Sequence, residues 1–169
     1  AAASEVDRWE QAIADELLRV FDRQERVVLA RLQGTKARNH TRHWDPPGER
    51  KIDPKYVVDP ARWALDAVGS TRPLVTRLFT TVYGRVSKRL REAATVDVPA
   101  PPADVEARVK DGVEERLRSL AIGVETAREE VEANIEAEED AGTPMSGIVK
   151  GVRDLYEARK PAWAARIAT

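Results

Sequence analysis

His40 and His43 are the only two histidines in the chain, and Asp45 follows closely. On a helix their spacing would put both imidazoles on one face, where a third ligand could complete a zinc site. The ligand set is incomplete, however, and a polar loop that also carries Lys36, Arg38 and Arg42 is the commoner setting for such a pair. Glu49-Arg50-Lys51, flanked by Asp45 and Asp53, has the residue types of a metal-dependent nuclease. That chemistry needs carboxylates held rigidly enough to clamp the metals. Here they lie among Pro46, Pro47, Gly48 and Pro54 with no flanking strand, which is poor support for such a site. No glycine-rich phosphate loop and no nucleophile elbow is present. The absence of cysteine excludes disulfides, thiolate metal sites and a cysteine nucleophile. The expectation is therefore a chain that is not an enzyme, with no catalytic centre, no cofactor and no metal.

Cations offer a different chemistry. Lys36, Arg38, Arg42, Arg50 and Lys51 make the 36–51 stretch basic, and Trp44 among them could stack on a base while the cations neutralise phosphates. The bland reading is a connector whose Trp44 packs on a neighbour, and it carries more weight. A second basic block runs over 72–91: Arg72, Arg77, Arg85, Lys88, Arg89 and Arg91, with no acidic residue between Ala67 and Arg91. It suits nucleic acid or an acidic partner. It equally suits a solvated face matched by the acidic segment Glu125–Asp140, which holds eight carboxylates and one cation, Arg128. With a net charge of −1, any attraction to nucleic acid must be local.

The elements that would position these residues are helices. From Ser4 to Gln33, Trp9, Ile13, Leu17, Val20, Phe21, Val28 and Leu32 recur in steps of three and four. Ser4 with Asp7 reads as a capping box, and Gly34 as the stop. Asp15–Arg19 and Asp22–Arg26 are expected to pair on the outer face. A long loop is expected over Thr35–Asp59, with an extended piece at Tyr56-Val57-Val58. Asp59-Pro60 opens a helix in which Trp63, Leu65 and Val68 face inward. Gly69–Pro73 reads as a break, after which Leu74, Leu78, Val82, Val86 and Leu90 form a stripe beside Val75 and Phe79. Val98-Pro99-Ala100-Pro101-Pro102 is a stiff linker. Beyond it Asp104 opens a long helix with Val109, Val113, Leu117, Leu120, Val124, Val131 and Ile135, which Gly123 is expected to interrupt. Gly142-Thr143-Pro144 is a stop, a cap and a first turn. Ile148, Val152, Leu155 and Tyr156 then share a face, and Lys160-Pro161 is expected to end that helix before a last one with Trp163 and Ile167.

No segment alternates with the period of a strand, so the fold class expected is all-α: an elongated multi-helix assembly with one long loop and a Pro-rich linker. The boundaries are an N-terminal helical region over 1–96, the linker over 97–103 and a C-terminal helical region over 104–169. No run approaches the roughly 20 apolar residues that a membrane span needs, so no membrane partner is expected. The start at Ala1-Ala2-Ala3-Ser4 and the stop within an apolar-periodic run suggest a piece of a longer chain. Amphipathic stripes this long suit contacts in a multi-subunit assembly, with Trp9, Ile13, Leu17, Phe21, Val152, Tyr156, Trp163 and Ile167 as partner-interface candidates. Lys36, Arg38, Arg42, Trp44, Arg85, Lys88 and Arg89 are the nucleic-acid candidates.

From Leu120 to Thr169 the order of motifs resembles the phage head-morphogenesis family, the minor head proteins similar to the F protein of phage Mu. Ile122-Gly123-Val124-Glu125-Thr126 matches its apolar turn and Thr-containing acidic helix. Gly142-Thr143-Pro144-Met145-Ser146 matches its turn, and Trp163-Ala164-Ala165-Arg166-Ile167-Ala168 its closing motif, with tryptophan at 163 where the family often has arginine. A weaker resemblance, to what precedes this domain in actinophage-type proteins, rests on Phe21, Gln24, Val27 and Val28 and on Asp59-Pro60-Ala61-Arg62-Trp63. The resemblance covers about 50 residues of the chain. It implies a bacteriophage virion protein, a minor head protein of the capsid interior near the portal vertex. Such a protein acts in head assembly and in DNA packaging or ejection, its partners being the portal ring or other head proteins, with packaged DNA as a further candidate; in some phages the domain is fused to the portal. The alternative, read from the residues, is a helical nucleic-acid-binding module using the loop 36–51 and the block 72–91.

Overall fold

The computed structural model describes residues 4–41, 52–93 and 102–169; over 35–41 and 102–105 it describes the backbone only. The described residues form helices throughout: α1 (Glu5–Thr41), α2 (Pro54–Val58), α3 (Pro60–Ala93), α4 (Pro102–Asp140) and α5 (Met145–Ala168). The four long helices pack in a closed ring, α1 on α3, α3 on α4, α4 on α5 and α5 on α1. Every neighbouring pair is antiparallel. Arg23 meets Asp66 while Arg85 meets Glu5, and Arg159 meets Glu130 while Arg116 reaches Ala168. The result is an up-down-up-down four-helix bundle, in which α2 packs on α1 and α4 at one end.

The heptad-like stripes build one continuous core. α1 contributes Ile13, Leu17, Val20, Phe21, Val28 and Leu32; α3 Trp63, Ala67 and Val75; α4 Val113, Leu117, Leu120, Val124, Ala127, Val131 and Ile135. α5 adds Ile148, Val152, Tyr156, Trp163, Ala164, Ile167 and Ala168. Residues from both sides of the Pro-rich stretch thus share this core. Few aromatics are needed because a long, thin bundle fills its interior with layers of Val, Leu and Ala.

Several ends are made as their residues dictate. Ser4 N–H donates to Asp7 Oδ2 at 2.7 Å and Asp7 N–H to Ser4 Oγ at 3.1 Å, a reciprocal capping box. Gly142 takes a left-handed φ of 71°. Its N–H donates to the Glu139 carbonyl and that of Thr143 to Glu138, which closes α4 in a Schellman motif. Asp59, also left-handed, accepts from Arg62 and Trp63 N–H at the start of α3.

Other expectations are corrected. α1 runs through Gly34 to Thr41, α2 replaces the extended piece at 56–58, and α4 begins at Pro102 and passes through Gly123. α3 passes through Pro73 and α5 through Pro161. Each proline sits on the exposed face, as do Gly69 and Glu157, whose carbonyls lose their donors to water rather than to a dry core. The buried stripe continues on the opposite side and outweighs the proline penalty of about 3 kcal/mol. Thr143 does not cap α5; its hydroxyl donates to Glu138 Oε2 at 2.7 Å. Leu65 points to solvent, and Thr71 takes the buried place on α3, its hydroxyl tied to the Ala67 carbonyl. Arg19 pairs with Glu16 rather than Asp15, and the Asp22 carboxylate pairs with Lys160 while Arg26 Nε donates to the Asp22 backbone carbonyl.

A Cβ at Gly69 or Gly84, both within α3, would meet nothing within 4 Å. Gly69→Ala and Gly84→Ala are each expected to raise stability by about 0.5–1 kcal/mol in urea unfolding, through helix propensity alone. A loss at either site would mean that α3 is not continuous there.

Candidate interaction surface

The eight interface candidates separate sharply. Ile13, Leu17, Phe21, Val152, Tyr156, Trp163 and Ile167 lie in the chain's own core, none more than 5% exposed. They meet one another across the α1–α5 seam and the adjoining α4, so the stripes proposed for partners are consumed within the chain. The Trp163 ring stands 5.4 Å from that of Phe21 and 5.6 Å from that of Tyr156, centroid to centroid. Trp9 alone is half-buried and borders a groove.

Charge fixes the same seams from outside. Lys160 Nζ bridges Asp22 and Glu25 of α1, each at 2.7 Å. Burial lowers the Lys160 pKa, but these two carboxylates outweigh that and raise it. Arg128, largely covered, joins Glu125 and Glu132 on its own helix. Arg159 forks onto Glu130 at 3.0 and 3.2 Å. The basic block finds other partners, Arg72 on Glu114 at 2.5 Å and Arg85 on Glu5. Members of both charge blocks therefore pair within the chain, on their own helix or with a neighbouring one, and no ion pair among the described residues joins the two blocks.

Burial pushes the Glu130 carboxyl up, but Arg159, with Arg166 behind it, outweighs burial and holds it below its ordinary 4.5. A carboxylate held low in the fold adds stability above its unfolded pKa and loses it as pH falls through the folded value. Stability is thus expected to fall on acidification below the ordinary carboxylate range. Arg159→Ala is expected to flatten that acid limb in urea melts from about pH 6 to about pH 3. An unchanged limb would show that the pair contributes nothing.

The nucleic-acid candidates are only partly placed. Lys36 and Arg38 lie where α1 is described by its backbone alone, and Arg42 and Trp44 fall outside the described residues, as do Asp45, Glu49 and Lys51. The side chains of His40 and His43 are likewise outside them. Of the rest, Arg85 is paired with Glu5, and Lys88 stands 3.8 Å from Glu92. Arg77, Arg89 and Arg91 make no ion pair with the described residues. Asp53 accepts from Lys55 N–H and caps α2. Among the described residues no group of three or more His, Asp or Glu is placed to hold a metal, and no helix is long and apolar enough to cross a membrane.

What the tertiary structure adds is an open groove of about 590 Å³ at the end of the bundle where α1 begins and α5 ends. Its walls are almost entirely apolar: Val6, Trp9 and Ile13 from α1, and Leu78, Val82 and Val86 from α3. Val6, Val82, Val86 and Leu90 are 64%, 45%, 48% and 65% exposed, so the stripe that periodicity assigns to a core is only half covered. No family model, no curated protein and no solved structure matches the chain. Function must therefore be argued from this surface and from the motif order. A second groove, of about 540 Å³, lies between α1 and α3 over Val27 and Leu65, with Arg62 at its edge. Sequence reasoning missed both grooves because each is made by helices distant in the chain, the first by α1, α3, α4 and the end of α5; the one signal was the length of the 74–90 stripe.

Proposed function

We propose that this chain is a structural protein of a bacteriophage head, a minor head component that works at the portal vertex through binding surfaces rather than a catalytic centre. The observation that supports it is the packing of the resembling motifs on one another. A Cβ at Gly123, in the first motif, would lie 2.7 Å from Ile167 Cγ1, in the closing motif. The small residue in one motif and the branched residue in the other therefore form one contact, with the Gly142 turn folding the two helices together. Motifs that match by order and also meet in space make a unit, which separate helical coincidences would not. The capsid interior, the portal ring as partner and a role in assembly or in DNA packaging and ejection follow from the resemblance and belong to this proposal.

Native mass spectrometry of the chain mixed with the portal ring of the same phage tests it. A fixed number of copies on the ring is expected; a free chain beside intact rings sinks the reading. One observation keeps the DNA alternative in view: Arg77, Arg89 and Arg91 have no ion pair with described residues. That alternative requires duplex binding that weakens steeply as salt rises, and binding that is absent or salt-insensitive removes it.

A further inference from the structure

We infer that the second groove, between α1 and α3, takes one aliphatic residue of an extended partner polypeptide and holds that residue's own backbone N–H and C=O. The inference names a contact for the structural reading above and rests on it only in taking the partner to be a protein. The groove is built from residues between Arg23 and Asp66, and two of them carry polar atoms that the fold leaves without a partner. Gln24 is 6% exposed and Trp63 3%, and both line the groove. Gln24 Nε2 donates to the Trp63 carbonyl at 3.0 Å. That carbonyl can only accept, so it must meet Nε2, and Oε1 is left with no donor among the described residues. Trp63 Nε1, which can only donate, has no acceptor among them either. Buried polar groups are normally paired, so such a pair calls for an explanation. The other buried polar atoms without a hydrogen bond differ. Glu132 is ion-paired with Arg128, Trp163 lies by Glu130 and Tyr156 by Glu25, and neither they nor Asn134 line either groove.

The groove therefore asks its occupant for one donor and one acceptor. In an extended chain the N–H and C=O of one residue point to the same side, as in a strand ladder, so a single residue supplies both. Val27, Val58 and Leu65 in the walls select an aliphatic side chain for it. Full charge does not select, because at the rim Arg23 pairs with Asp66 and Arg31 with Asp59. Arg62, with no ion pair among the described residues, is placed to donate to a further backbone carbonyl. A second copy of this chain fits poorly, since its described elements are all helices whose backbone groups already bond one another. Nucleic acid would leave Val27 and Leu65 without a purpose. Both polar atoms are closed to solvent in the free chain. Leu65, 71% exposed, and Arg62, also exposed, have the rotamer freedom to let the segment in.

The test follows the indole N–H signals of the four tryptophans in nitrogen-15 spectra of the full chain, with Trp63 assigned through Trp63→Phe. The probe is acetyl-Ala-Leu-Ala-methylamide. The Trp63 signal is expected to move downfield and saturate while those of Trp9 and Trp163 stay in place. Methylating the leucine nitrogen of the probe is expected to weaken binding by about tenfold, the worth of one buried hydrogen bond. Gln24→Leu is expected to abolish that difference between the two probes. Leu65→Asp is expected to weaken the first probe by about tenfold with an unchanged thermal midpoint, because Leu65 faces solvent. Equal binding of both probes overturns the inference, as does a shift shared by all the indoles. So does a Trp63 signal that already has the position of a hydrogen-bonded indole and ignores the probe, which means the chain satisfies the donor itself. A concentration-dependent dimer abolished by Leu65→Asp gives the groove to a second copy, and displacement of the probe by duplex DNA gives it to nucleic acid; either overturns the inference. Portal-ring binding by a chain that ignores the probe overturns it and leaves the head reading standing. Probe binding as expected by a chain that ignores the ring does the reverse.

Discussion

Trp163→Ala is expected to destabilise the chain by about 3–5 kcal/mol, a fall of about 10 °C in Tm for a domain of this size. Trp163 is fully buried and is the largest side chain in the core. It lies against Phe21 of α1 and edge-on to Tyr156 about two turns earlier in α5. Truncation removes the transfer energy of the indole and leaves a cavity lined by two rings that the rest of the bundle holds in place. Trp163→Arg, which installs the residue common in the resembling family, is expected to be worse, because it buries a charge between the Phe21 and Tyr156 rings, where the nearby Glu130 carboxylate is already held by Arg159. Lys160 already holds Asp22 and Glu25, and Arg159 holds Glu130. Urea unfolding followed by circular dichroism checks both. A loss below about 1 kcal/mol for Trp163→Ala would mean that the α1–α5 seam is not formed.

The second large effect concerns Gly123. Glycine to alanine inside a helix ordinarily gains up to about 1 kcal/mol. At 123 the new methyl would sit 2.7 Å from Ile167 Cγ1 and 3.4 Å from its Cγ2. Ile167 is β-branched and buried, so it has little rotamer freedom with which to retreat. Gly123→Ala is therefore expected to reverse sign and destabilise by about 1–3 kcal/mol. Ile167→Ala removes the colliding atoms, so the double variant is expected to recover part of the loss, giving a coupling of about 1 kcal/mol or more in a double-mutant cycle. Additive effects would place α5 away from Gly123. They would also weaken the head-protein reading, which leans on this contact.

The contrast between Gly123 and Gly69 shows where sequence reading stops. Both lie inside helices, and by local rules both read as possible interruptions. Only the packing distinguishes a glycine against a neighbouring helix from one facing water. The prolines teach the same lesson. Pro73 and Pro161 read as breaks because local propensity opposes them, yet each lies on the wet side of a helix whose other side is a continuous buried stripe. Propensity acts residue by residue, whereas burial is summed along the whole face.

By itself the sequence determined the all-α class, the apolar stripes at 13–32 and 113–135, the capping box at Ser4 and Asp7, and the stop at Gly142. Each is set by periodicity or by hydrogen bonding within a few residues of chain, so no knowledge of neighbours is needed. Tertiary structure alone decided the ring order of the helices and the partners of the charge blocks. It also decided that Leu17, Phe21, Tyr156 and Trp163 face the core rather than a partner. A stripe records that one face will be dry but not what will dry it. The half-covered stripe of α3 is where that distinction matters, because there Val82, Val86 and Leu90 keep the periodicity of a core face and are still about half exposed.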